Sequence, residues 1–258
     1  MRLEKHIALV TGAGRGIGQG IALALADAGA DVAVADLDIN IARETAARIE
    51  KSGRRSIALQ VDVADPDSVN AMIEGAEAAL GPLGITVNNA GVISIKSVGE
   101  LTLEDWERVM QVNVRGIFLC TQAALRVMRP RGFGRIINIA SIAGKIGFPD
   151  LSHYSASKFA VIGFSNAVAK EVAAEGITVN ALCPGIVGTG MWRGEEGLAG
   201  RWREAGETEE QSWARHQKTL LPQGVAQTPA DMGQLAVYLA SAEHVTGQAI
   251  AVDGGFSL

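Results

Sequence analysis

Short apolar runs and longer amphipathic ones alternate along nearly the whole chain. "HIALVT" (6–11) and "DVAVAD" (31–36) are β-branched runs ending in polar residues, the pattern of parallel strands buried on both faces. "SIALQVD" (56–62), "GITVNN" (84–89), "GRIINIAS" (134–141), "ITVNALC" (177–183) and "QAIAVDGG" (248–255) repeat it. Between them the periodicity predicts helices over 16–28, 39–51, 66–80, 102–128, 153–175 and 229–241. In 39–51, Ile39, Ala42, Ala46 and Ile49 share the apolar face. Pro66 suits a first helical turn, with Asp65 as its N-cap. Repeated strand–helix–strand units predict an α/β fold, a doubly wound parallel sheet flanked by helices on both faces, in one domain over 1–258.

One stretch leaves this rhythm. Residues 188–226 carry glycines, many charges and three of the four tryptophans, Trp192, Trp202 and Trp213. A long insert after a sheet strand predicts a lid over the ligand crevice, which lies beyond the strands' C-terminal ends. The alternative is a surface helical excursion with a small core of its own.

Composition narrows the class. A hydrophobic content of 48% over 258 residues supports one globular core, and a net charge of -5 counts against nucleic acid or an anionic membrane as partner. No apolar run approaches the roughly 18 residues of a membrane span. The N-terminus enters a strand pattern at once, without a signal peptide's cleavage region. The two cysteines, Cys120 and Cys183, lack metal-type spacing, and His6, His153, His216 and His244 are scattered. No metal site is expected, and a reduced, cytoplasmic location follows from the cysteine usage.

"VTGAGRGIG" (10–18) follows the first strand and opens the first helix, the context that a phosphate-binding glycine loop requires. Gly12 provides the sharp turn, Gly16 lets the backbone approach a pyrophosphate, and Gly18 permits close helix packing. The helix N-terminus around Ile17 presents free N–H groups and a positive dipole end to the phosphates. The second strand ends at Asp36, placed to accept both ribose hydroxyls and to repel a 2′-phosphate, while Leu37 adds no positive charge. Arg15, inside the loop, is the opposing signal for NADP. The carboxylate should outweigh one flexible arginine, so the expected cofactor is NAD, in a Rossmann-type sheet of about seven strands.

"HYSASKFAV" (153–161) sets Tyr154 and Lys158 one helical turn apart with only small residues between. Phenol and ammonium at i and i+4 share a helix face. A free phenol with a pKa of about 10 is a poor base at neutral pH, and a neighbouring cation is expected to lower that value. Small intervening residues leave room for a cofactor against the helix.

The chain resembles the compact, single-domain short-chain dehydrogenase/reductase family. The resemblance rests on "TGAGRGIG" (11–18), "NNAG" (88–91), Asn113 in "VNV", Ser141 in "IINIAS", "YSASK" (154–158), "PGIVGT" (184–189) and "VTGQAIAVDGG" (245–255), in order along nearly the whole chain. It implies that Ser141 hydrogen-bonds the substrate oxygen, Tyr154 exchanges the proton, Lys158 tunes Tyr154 and binds the nicotinamide ribose, and Asn113 holds a water. It also implies that Asp62 and Val63 contact the adenine, that Asn89, Ala90 and Gly91 line the cofactor, and that Pro184, Gly185, Val187 and Thr189 hold the carboxamide side. "GITVNNAG" lacks the aspartate often found before that strand. Taken singly, Ser141 also reads as a cap, Asn113 as a local hydrogen-bonding kink, and His153 as a structural or rim residue.

Ile93, Ser94, Ile142, Phe148, His153, Ile186, Met191 and Trp192 are the expected substrate wall. "PGIVGTGMW" and "SKFAVIGF" resemble the branch that oxidises vicinal diols, hydroxyketones and sugar alcohols. The expected substrate is therefore a secondary alcohol or ketone of that kind. An NADP-dependent 3-oxoacyl thioester reductase of the same fold is the alternative, and a non-catalytic nucleotide-sensing protein is a remote one. The predicted helices 102–128 and 153–175 carry surplus apolar positions such as Val161, Ile162, Phe164 and Val168. Together with the resemblance they lead to the expectation of a homotetramer.

Overall fold

The computed structural model describes residues 3–258. All the expected strands form: β1 (Ile7–Thr11), β2 (Asp31–Asp36), β3 (Ser56–Gln60), β4 (Leu83–Asn88), β5 (Gly134–Ile139), β6 (Ile177–Pro184) and β7 (Ala249–Val252). They build one sheet in the order β3-β2-β1-β4-β5-β6-β7, with every neighbouring pair parallel. β1, β4, β5 and β6 are buried at every position, so both sheet faces need a helical cover.

That cover comes from α1 (Gly16–Asp27), α2 (Ile39–Lys51), α3 (Pro66–Leu80), α4 (Leu103–Met110), α5 (Gly116–Met128), α6 (Ser152–Val172) and α9 (Pro229–Ser241). The strand's two-residue period sorts the core. Ala8 and Val10 of β1 cluster with Ile21 of α1, Ile49 of α2 and Met232 of α9. Ile7 and Leu9 cluster with Met72 of α3, Cys120 of α5 and Val172 of α6 on the other face. Helix starts are fixed chemically. Asp65 accepts from Asp67 N and Ser68 N with Pro66 next to it, and Thr228 and Asp231 form a capping box on α9. Each such cap contributes about 1 kcal/mol.

The helix expected over 102–128 is interrupted. Residues Gln111–Arg115 form one turn of π-helix between α4 and α5. Asn113 sits in it, accepting from Val92 N (2.8 Å) and donating to Val92 O (2.9 Å) and Ser157 Oγ (3.1 Å). A wide turn lets one residue leave the helical ladder and bond sideways. The Asn113 side-chain bonds are thus long-range, and the irregularity at this point is the π-turn itself.

One further expectation changes. Val161 and Val168 are core residues of this chain and contribute no surplus surface; the exposed aromatic side chains of α5 and α6 are Phe118 and Phe159. An aromatic pair packs beside the start of β4. Phe133 stacks on His6 (centroids 5.1 Å apart), and a Cβ on Gly84 would stand 3.0 Å from Phe133. Residues 188–226 hold α7 (Leu198–Arg201) and α8 (Glu209–Leu220), with Ala199, Trp213 and Leu221 buried around Ile186. This cluster is shared with the sheet side through Ile186 and Phe256, and Trp192, Leu198 and Trp202 pack on a second cluster with Tyr154 and Leu151.

α1 and α9 approach most closely where both carry glycine. A Cβ on Gly20 would lie 2.5 Å from Pro229 Cβ and 2.6 Å from its carbonyl oxygen, and one on Gly233 would lie 2.5 Å from Ala24 Cβ. Gly20→Ala should cost about 1–3 kcal/mol by overpacking, since helix backbone must move. Thermal unfolding should show the midpoint falling by several degrees; an unchanged midpoint would contradict the close packing.

Candidate active site

The strand order reverses direction between β1 and β4, and in such sheets the crevice beyond that point holds the ligand. Thr11 and Asn89 stitch its floor. Thr11 Oγ1 accepts from Asn89 N (3.0 Å) and Ala90 N (3.2 Å), while Asn89 Nδ2 donates to the carbonyls of Thr11 (2.9 Å) and Gly12 (3.0 Å). Above the floor opens a cleft of about 1490 Å3.

The glycine loop forms one end of the cleft. Gly12 and Gly16 have φ of 61° and 58°, values that disfavour any side chain. A Cβ on Gly18 would lie 2.2 Å from Gly12 O, so this glycine serves packing beneath the loop and does not line the cleft. Arg15 is the N-cap of α1 and makes no capping side-chain bond, which leaves the first N–H groups of α1 without a side-chain acceptor. The Asp36 carboxylate is held at the end of β2 by Gly14 N (2.9 Å) and Asp38 N (3.2 Å). Arg15, Ile17, Asp36, Leu37, Asp62 and Val63 line this half of the cleft. Asn89, Ala90 and Gly91 continue it, and Pro184 at the end of β6 with Gly185, Val187 and Thr189 beyond it face the same cleft. An uncapped helix end behind two left-handed glycines fits a pyrophosphate, and a fixed carboxylate at the end of β2 fits a ribose. The residues present therefore fit a dinucleotide.

At the other end α6 brings Tyr154 and Lys158 to the cleft from one face. Both are buried, at 7% and 3% exposure. Lys158 Nζ lies 5.6 Å from the Tyr154 ring centroid and donates to Ile139 O at 2.8 Å. Burial pushes the Tyr154 phenol up to about 12, against which a side-chain hydrogen bond with Ser141 pulls down. Burial also lowers Lys158 to about 8. Desolvation acts on both groups, favours their neutral forms, and so opposes the lowering of the phenol that the neighbouring lysine is expected to bring. Ser141 bonds on two sides, since its Oγ also accepts from Ala143 N (3.1 Å) and caps the short turn after β5. The capping reading of this serine is therefore present. Asn113 stands behind the site, tying the strand-end segment at Val92 to Ser157 on α6.

The expected substrate wall divides into two groups. Ile93, Ile142, Phe148, Ile186, Met191 and Trp192 line the cleft. Ser94 and His153 do not. His153 is fully buried, and its Nε2 lies 2.6 Å from the Oγ of the partly buried Ser94, so the two side chains bond to each other. Burial also lowers the His153 pKa, as expected of a structural histidine. Trp202, expected in the lid, lines the same end, and so do Leu198, His216 and Leu220, which sequence reasoning missed. The signal was available, because Trp213, His216 and Leu220 recur at helical spacing inside 188–226. Among the described residues no cluster suits a metal ion, and no helix is long and apolar enough to cross a membrane.

Comparison with known proteins agrees with this geometry. The family model described as short chain dehydrogenase matches residues 6–197. The chain is 42% identical over 217 residues to L-2,3-butanediol dehydrogenase of Corynebacterium glutamicum, covering 83% of each protein. It is 38% identical over 190 residues to a 3-oxoacyl-[acyl-carrier-protein] reductase of Synechocystis, covering 73% of this chain and 77% of that one. The structure of a short-chain type dehydrogenase/reductase from Mycobacterium marinum superposes with a TM-score of 0.86 at 33% identity, over 99% of this chain and 96% of the other. With its sheet order, glycine loop and matched span in agreement, the chain belongs to the short-chain dehydrogenase family, oxidoreductases of CH–OH groups that use NAD(P).

Proposed function

We propose that this protein is an NAD-dependent dehydrogenase of secondary alcohols of the vicinal diol, hydroxyketone or sugar-alcohol type. The observation that carries the reading is the buried Tyr154–Lys158 pair on one face of α6, with Ser141 bonded to the phenol, at the end of a cleft that begins at the glycine loop. The butanediol dehydrogenase relative supports the diol class. A bound nicotinamide supplies the acceptor or donor of hydride. Tyr154 takes the hydroxyl proton in oxidation and returns it to the carbonyl oxygen in reduction. Ser141 holds the same oxygen and steadies its negative charge. Lys158 supplies positive charge beside the phenol, and Asn113 keeps α6 in register with the strand ends. Residues 188–226 act as the lid that keeps water from the reacting atoms.

Asp36 argues for NAD, because its fixed carboxylate repels a 2′-phosphate and the exposed Leu37 brings no countercharge. A second reading, an NADP-dependent 3-oxoacyl thioester reductase, draws on Arg15 at the cleft and on the Synechocystis relative. A non-catalytic nucleotide sensor would not need Tyr154, Lys158 and Ser141 together. We further propose a cytoplasmic homotetramer, supported by the exposed Phe118 and Phe159 on α5 and α6.

Tyr154→Phe should lower kcat about a hundred- to ten-thousand-fold while NAD still binds; fluorescence titration with the dinucleotide and turnover assays separate the two effects, and retained turnover would reject the proton role. Asp36→Ser should shift the NAD-to-NADP ratio of kcat/KM toward NADP by about tenfold or more, and an unmoved ratio removes Asp36 from the ribose. A phenol pushed upward is protonated at neutrality, so its basic form grows as pH rises. Alcohol oxidation should accordingly gain kcat/KM from about pH 7 to about pH 9 and ketone reduction should not. A flat oxidation profile would count against Tyr154 as the base.

A further inference from the structure

The wall near Tyr154 is aromatic to an extent that a small diol does not use. Trp192 and Trp202 are partly exposed, line the cleft, and pack on the apolar cluster that contains Tyr154 and Leu151. Their rings meet edge to face, with centroids 5.9 Å apart. His216 joins them, 5.8 Å from Trp192 and 6.0 Å from Trp202.

His216 is the polar member of this aromatic group, and its hydrogen bonding fixes which nitrogen is free. Its Nδ1 lies 2.7 Å from the Ser212 carbonyl oxygen, which only accepts, so Nδ1 carries the proton. Burial lowers the His216 pKa and keeps the ring neutral. Nε2 then holds a lone pair, and the bonds of this ring all run through Nδ1. The neighbouring guanidinium does not compete, because Arg215 is committed to Glu207 (2.8 and 2.9 Å) and to Trp202 O (3.0 Å).

We propose, on the reading that this cleft oxidises a secondary alcohol, that the substituent beside the carbinol is a flat ring bearing a hydroxyl. The ring lies against Trp192 and Trp202, and its hydroxyl donates to His216 Nε2. An aromatic face gains from stacking and from leaving water, whereas a flexible polyol would strand its hydroxyls against tryptophan. A neutral acceptor selects a donor over a carboxylate or ketone at the same place.

Three diols test this with saturating NAD: 2,3-butanediol, 1-phenyl-1,2-propanediol and its 4-hydroxyphenyl analogue. The phenyl diol should exceed butanediol in kcat/KM by about tenfold or more. The 4-hydroxyl should add a further gain of about three- to tenfold, carried by KM. His216→Phe, which keeps a ring there, should abolish the hydroxyl gain and retain the phenyl preference. Trp202→Ala should reduce the phenyl-to-butanediol ratio about tenfold. Turnover of butanediol with no phenyl preference, or a hydroxyl gain that survives His216→Phe, overturns this proposal alone. Turnover of no alcohol at all by protein that binds NAD overturns the dehydrogenase reading as well. Should Trp202→Ala fail to fold, the substrate series on the unaltered protein still decides.

Discussion

Everything at this site depends on the reversal of strand order between β1 and β4. Parallel strands that wind outward in both directions leave a crevice where the two halves begin, and no connecting segment crosses it. Here Thr11 and Asn89 bond across that line through backbone and side chain together, which fixes the spacing of the two strand ends. The glycine loop hangs from one side and the "NNAG" segment from the other. A ligand that spans the crevice therefore meets backbone on both sides.

From that line the chemistry is graded along the cleft. The loop end is built of glycines, free amides and one anchored carboxylate, suited to phosphate and sugar. The far end is built of buried tyrosine, lysine and serine backed by apolar side chains. Burial has two opposite effects there. It keeps water away and strengthens every dipole, but it also opposes charge on the phenol and on the ammonium. The acidity of Tyr154 depends on the balance between these effects.

Much of this was legible in the sequence, because strand burial and helix periodicity are local properties. α2, α3 and α9 have the bounds that the periodicity gave, and all of the expected strands pair in one sheet. What escaped was non-local. A single wide turn at 111–115 does not alter an apolar pattern enough to be noticed, although it decides where Asn113 points. The spacing of Tyr154 and Lys158 revealed their shared face but not their depth, and depth governs their acidity. Val161 and Val168 looked like spare surface until the sheet covered them. His153 adjoins Tyr154 in sequence, yet the helix turns it to Ser94, away from the cleft.

The charge pairs of residues 188–226 close on themselves. Arg193 reaches Glu209 and Glu210, Arg201 reaches Glu196, Arg203 reaches Glu195, and Arg215 reaches Glu204 and Glu207. A segment whose ionic partners are internal can be remodelled, lengthened or exchanged without unpairing any charge on the sheet. Such modularity lets this segment change shape while the buried Tyr154 and Lys158 on α6 stay as they are.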